Sequence, residues 1–263
     1  MLFTPTTTIS TAGTAGANGN VKIIAEDANS AGLQSIITGT IDTRGAGNGT
    51  IGTGSVLLAA ARLPDTVNVT VDKVSGAATG LNQFVPGGGL PRDINVNGDI
   101  ITRGAAVSLI AGNATSANGN ILITGQVDNR MSSTGAGVGD GGSFTVLQNS
   151  ANTFVVGGAT VNGIGAASRA IQTQAGTGGG KGGTVDITNN GPGGITANLG
   201  SVATPIIDTR AFGTSSGGSF ILSAPAGPIT LTSTGNAGQC SGSWRQPRWR
   251  HDPDSGSNIY SQW

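Results

Sequence analysis

The sequence predicts an all-β fold, an elongated parallel β-helix (β-solenoid) with an irregular C-terminal tail. Three observations carry this. Short alternating apolar segments recur along the chain, as in Ser35-Ile36-Ile37-Thr38, Asn120-Ile121-Leu122-Ile123-Thr124 and Thr184-Val185-Asp186-Ile187-Thr188. Each is rich in β-branched residues and bounded by Gly, Asn or Ser, which is the strand-and-turn signal. The segments recur too often for the strands of one sandwich, and two phrases return within them, the signature of a repeat array.

The first phrase is apolar-Asp-Thr-Arg, at Ile41-Asp42-Thr43-Arg44 and Ile207-Asp208-Thr209-Arg210, with looser copies at Ile100-Ile101-Thr102-Arg103 and Val127-Asp128-Asn129-Arg130. The second follows a Gly-rich loop, at Gly141-Gly142-Ser143-Phe144, Gly217-Gly218-Ser219-Phe220 and Gly182-Gly183-Thr184-Val185. A single alternating strand buries one face and leaves two rows of backbone groups unpaired. Stacking equivalent strands in parallel satisfies both rows. The sharp turns between them account for the 47 glycines.

In chain order, residues 1–20 read as a flexible N-terminal segment and residues 21–238 as solenoid. The expectation is about ten coils of ~20–25 residues, a stack of about 50 Å at ~4.8 Å per coil. Ile41, Val56, Ile121, Val146, Val185, Ile207 and Leu222 are expected to point inward, and Arg44, Arg130 and Arg210 to be exposed. An excursion from the coil is expected at 62–93, where Pro64, Pro86, Pro91 and Gly87-Gly88-Gly89 break the rhythm. As a loop on a rigid scaffold, it is the expected contact surface.

Residues 239–263 are atypical. They hold all three Trp, the single Tyr, His251 and Cys240, and three of the ten Arg. The expectation is a disordered tail produced by a frameshift. Read one base out of frame, Trp244-Arg245 and Trp249-Arg250 each give Gly, whichever Arg codon is used, which restores the composition of the repeats.

The rare residues exclude several chemistries. One Cys and one His leave no disulfide and no multi-histidine or thiolate metal site. Thirteen basic and thirteen acidic residues give no field to attract nucleic acid or an anionic membrane. The longest apolar run, Val56 to Ala61, is far below a membrane span, and the first residues do not form a signal peptide. Gly176-Thr177-Gly178-Gly179-Gly180-Lys181-Gly182 lacks the first Gly and the Ser/Thr after Lys of a phosphate-binding loop. Gly135 to Asp140 matches half of a calcium-binding nonapeptide, but in one imperfect copy. Trp244, Arg245, Arg248, Trp249 and Arg250 interleave aromatics and cations, yet have no scaffold for stacking bases. Thr230-Leu231-Thr232 is too irregularly repeated for an ice-binding face.

Catalysis needs convergent titratable groups. The acids are scattered, with Asp99, Asp128 and Asp186 the members that could assemble a glycosidase-like carboxylate pair in space. No catalytic, cofactor-binding or metal-binding residue is assigned, no cofactor is expected, and the chain is expected not to be an enzyme. A carbohydrate-active β-helix enzyme, of polysaccharide lyase or glycosidase type, is the alternative.

The Gly-Gly-Ser/Thr-apolar-x-apolar phrase, its Gly-rich loop and the Ile-Asp-Thr-Arg strand resemble the repeats of large bacterial exoproteins of the filamentous haemagglutinin type, over about residues 21–238. The resemblance implies a right-handed parallel β-helix, two-partner secretion through an outer-membrane transporter, and adhesion to a glycan or protein on a host or neighbouring cell. The implied location is extracellular or on the cell surface. The family's signal peptide and Asn-rich secretion domain have no counterpart here, so the chain resembles an internal segment of a shaft.

Overall fold

The computed structural model describes residues 7–11, 19–25, 35–44, 54–61, 92–131, 137–201, 204–233, 250–251 and 257–262. All regular elements among them are strands. The first coil contains β1 (Ile9–Ser10), β2 (Val21–Ile24) and β3 (Ile36–Thr38), and the second β4 (Ile41–Asp42), β5 (Val56–Ala61) and β6 (Ile94–Val96). The third contains β7 (Ile100–Ile101), β8 (Val107–Gly112) and β9 (Ile121–Ile123). The fourth has four strands, β10 (Val127–Asp128), β11 (Phe144–Gln148), β12 (Phe154–Val156) and β13 (Gly163–Ile164). The fifth contains β14 (Ile171–Gln172), β15 (Thr184–Asn189) and β16 (Ile195–Asn198), and the sixth β17 (Ile207–Asp208), β18 (Ser219–Ala224) and β19 (Ile229–Thr232). From the tail come β20 (Arg250–His251) and β21 (Ser257–Gln262).

Three sheets result. The first runs β1-β4-β7-β10-β14-β17, the second β2-β5-β8-β11-β15-β18-β21-β20, and the third β3-β6-β9-β13-β12-β16-β19. Pairings between coils are parallel, while β21 is antiparallel to both β18 and β20. The molecule is thus a parallel β-helix.

Columns of equivalent residues fill the interior. Ile9, Ile41, Ile100, Val127, Ile171 and Ile207 stack along the first sheet. Val21, Val56, Val107, Phe144, Val185 and Phe220 stack along the second. Six of the seven residues expected to point inward are buried; Ile207, in the last coil, is only partly covered.

The coil count differs from expectation. The described residues form six coils, not ten, and five steps of ~4.8 Å make a stack of about 24 Å rather than 50 Å. Equivalent positions Ile100 and Val127 are 27 residues apart, and Ile41 and Ile100 are 59 apart. The interval between the Asp-Thr-Arg phrase and the next Gly-Ser/Thr strand spans one corner, between the first and second sheets, and not a whole turn.

The Gly-Gly-Ser/Thr phrase has a steric cause. Gly19, Gly54, Ala105, Gly142, Gly183 and Gly218 each lie two residues before the second-sheet column and form a column of their own. A Cβ on Gly183 would collide with the carbonyl oxygen of Gly142, and one on Gly218 with that of Gly183. Successive coils pack backbone on backbone here.

Strand β5 is buried on both faces. Outward-pointing Leu57, Ala59 and Ala61 form a second apolar cluster with Ile110 and Leu147. The excursion expected at 62–93 lies outside the described residues except for Arg92 and Asp93, both at the entry to β6. Most of the tail, 239–249, 252–256 and 263, lies outside them too.

Candidate functional site

The outward face of the first sheet carries the charged phrase. In a strand alternate side chains share a face, so Ile41 and Thr43 are buried while Asp42 and Arg44 project together. Each Asp grips the Arg two residues on through two bonds. Arg44 Nε and Nη2 lie 3.0 and 2.7 Å from the Asp42 carboxylate. The corresponding distances are 2.8 and 2.6 Å for Arg130 on Asp128, and 2.9 and 2.7 Å for Arg210 on Asp208. The Arg backbone N–H also donates to the same Asp.

Register places these pairs on every second coil. Down the column the residues are Ser10, Asp42, Ile101, Asp128, Gln172 and Asp208. Like charges directly opposite each other on adjacent strands would be destabilising, and Ile101 and Gln172 keep the carboxylates two layers apart. Gln174 occupies the Arg position of the fifth coil and donates to Asp208. Burial pushes the Asp42 carboxyl up, but hydrogen bonds from the Arg44 side chain and backbone, with the positive charges of Arg44 and Arg103, hold it below the ordinary aspartate range.

The expected exposure of the three arginines holds for Arg210 alone. The Arg44 side chain is 39% exposed, but that of Arg130 only 17%. Arg130 belongs to the fourth coil, with coils above and below to cover it, whereas Arg210 is in the last coil.

Three of the other four described carboxylates join coils. Asp93 accepts the Asn120 N–H at 2.8 Å, Asp99 the Gln126 N–H at 2.9 Å and Asp140 the Lys181 N–H at 2.8 Å, each from the following coil. The half nonapeptide at Gly135 to Asp140, whose residue 135–136 portion lies outside the described residues, therefore stacks beneath a Lys loop rather than a second acidic one. Asp186 is on the second sheet, between Thr145 and Ile221, and burial raises its carboxyl above the ordinary value. Asp99 and Asp128 serve the first sheet and Asp186 the second, so the three acids are not brought to one face.

Among the described residues no three His, Cys, Asp or Glu side chains cluster as metal ligands, and no helix is long and apolar enough to cross a membrane. The class of the protein is that of its geometry, a β-solenoid with a ladder of alternating ion pairs. No protein-family model, curated protein or solved structure matches the chain.

Proposed function

We propose that the chain is a non-catalytic structural shaft segment of a secreted or surface-displayed bacterial adhesin. The supporting observation is the use made of its acids. Of the seven described aspartates, three are held by arginines within their own coil, and three accept the backbone N–H of the next coil. Such groups are bound in the coil-to-coil framework, whereas general acid–base chemistry needs groups free to exchange protons beside a substrate. The interior is filled by side-chain columns, so the molecule offers a rigid scaffold whose loops are available for contact.

The test pairs binding with catalysis. The purified chain, immobilised on beads, should retain glycans or cells at its surface without altering them. Incubation with a panel of polysaccharides, with and without calcium, should release no new reducing or unsaturated ends. Product release that survives extensive purification and disappears in Asp186→Asn would overturn the reading in favour of a carbohydrate-active enzyme.

A further inference from the structure

We propose that β21 is an end cap, and that the surface it guards fits the first coil of a second copy of this chain. The two ends of the solenoid are complementary because all six coils run parallel. The last coil is incompletely covered. Ile207, Phe220, Ile229 and Leu231 are only partly buried, whereas their equivalents one coil below, Ile171, Val185, Ile195 and Ala197, are fully buried. Among the described residues, no strand pairs with the outer edge of β17 or β19, and β18 alone is paired, by β21.

Register identifies the occupant. Placing the first coil of another copy on the sixth would set Ile9 over Ile207, Val21 over Phe220 and Ile36 over Ile229, continuing the apolar columns. Gly19 would follow Gly218 in the column where a Cβ meets the carbonyl of the coil below. Ser10 would lie over Asp208, with Asp42 one layer further, so carboxylates would still fall on every second layer across the junction. Such a junction needs a free parallel edge on all three sheets. The antiparallel strand β21, in register from Ser219↔Gln262 to Ala224↔Ser257, closes one of them. Covering an edge in this way is a recognised defence against edge-to-edge association.

The backbone indicates where to intervene. Ser219 N–H donates to Gly183, towards β15, so Phe220 and Leu222 present their backbone groups to the other side, opposite Ser261 and Ile259. At the other end, Val21 and Ala25 donate towards β5, so Lys22 presents its N–H to the opposite edge of β2, with which no strand pairs among the described residues. The double variant Ile259→Pro/Ser261→Pro should uncap the last coil, and Lys22→Pro should block the first without touching the internal ladder.

Sedimentation velocity over a concentration series reads the result. The full chain should sediment as one species of 25.7 kDa. The uncapped variant should form a series of species at multiples of that mass, increasing with concentration. Adding Lys22→Pro to the uncapped variant should return it to the single species. A chain ending at residue 233 should assemble like the double variant, which keeps the test valid if the prolines disturb the fold. An uncapped chain that retains its β-sheet circular dichroism and remains monomeric overturns the proposal. So does assembly that Lys22→Pro leaves unchanged, or a full-length chain that already assembles.

Discussion

The side chain of Asn162 accepts the backbone N–H of Ile121 through Oδ1 at 2.9 Å. Its Nδ2 donates to the carbonyl of Asn152, also at 2.9 Å. Asn162 immediately precedes the two-residue strand β13, is 2% exposed, and stands between Ile121 and Phe154 in an otherwise apolar column. Strand β13 is one residue too short to span its neighbours, and the amide serves as the missing peptide group. Replacing Asn162 with Leu, of similar size, leaves the buried Ile121 N–H without its partner, while the carbonyl of the exposed Asn152 keeps a second donor in the Asn189 amide. For one orphaned N–H, a loss of about 1–3 kcal/mol is expected in urea unfolding. An unchanged midpoint would show that the bridge contributes nothing.

Gly183 and Gly158 should respond differently to alanine. At Gly183 the obstacle is the Gly142 carbonyl, and backbone has nowhere to move inside the stack. Gly158 has a φ of 86° but open space around its Cβ position, so its alanine variant bears only the left-handed backbone cost of about 1 kcal/mol. Gly183→Ala should lower the melting temperature several-fold more than Gly158→Ala. Equal shifts would mean that the glycine column is not close-packed.

Among the three ion pairs, the most covered should matter most. Arg130→Gln leaves Asp128, itself 9% exposed, without its bidentate partner, and a loss of about 1–3 kcal/mol is expected. The Arg210 side chain is 48% exposed, and Asp208, although only 3% exposed, also accepts from the Gln174 amide, so Arg210→Gln should cost under about 1 kcal/mol. Paired denaturation curves check the order.

Asp186 and Asp42 should give opposite pH responses. Burial raises the Asp186 carboxyl, so its contribution to stability is complete below the ordinary aspartate value and is lost as pH rises through the raised one. Asp186→Asn should therefore stabilise the protein at neutral pH. Asp42 is held below its ordinary value by Arg44, against the opposing effect of burial; its contribution is present above that value and is lost as pH falls through the lowered one. Asp42→Asn should destabilise at neutral pH and make no difference in strong acid. Urea unfolding of both variants from strongly acidic to neutral pH measures these slopes, and parallel curves for the two would contradict the assignment.

The sequence makes the repeating unit legible but not its size. Alternation identifies Ile41, Val56, Ile121 and Val185 as inward residues, because a strand with one buried face follows a period of two. The phrase Asp-Thr-Arg likewise announces its own ion pair, since residues two apart share a face. Coil length is hidden because it depends on which strands join the same sheet, and loops of very different length separate equivalent positions. The burial of Leu57 and Ala59 had a readable sign: Val56 to Ala61 is apolar without alternation, as expected of a strand covered on both sides. Asn162 had none, for an isolated Asn after a run of Gly, Ala, Thr and Val reads as a turn residue.

Strand β8 touches both β6 and β9, and β18 touches both β16 and β19, so the second and third sheets meet with the same stagger at either end. Between those points the second sheet advances by three strands and the third by four, because β12 and β13 both belong to it. One wall of the tube is thus longer than the wall beside it by a single ~4.8 Å spacing. In a crystal this would be an edge dislocation, a half-plane ending inside the lattice. In a tube whose walls are ~10 Å apart, such a wedge would be expected to turn the axis by on the order of 25°, towards the shorter walls, which small-angle scattering of the chain would register. A succession of such units placed end to end would form an arch and not a straight rod.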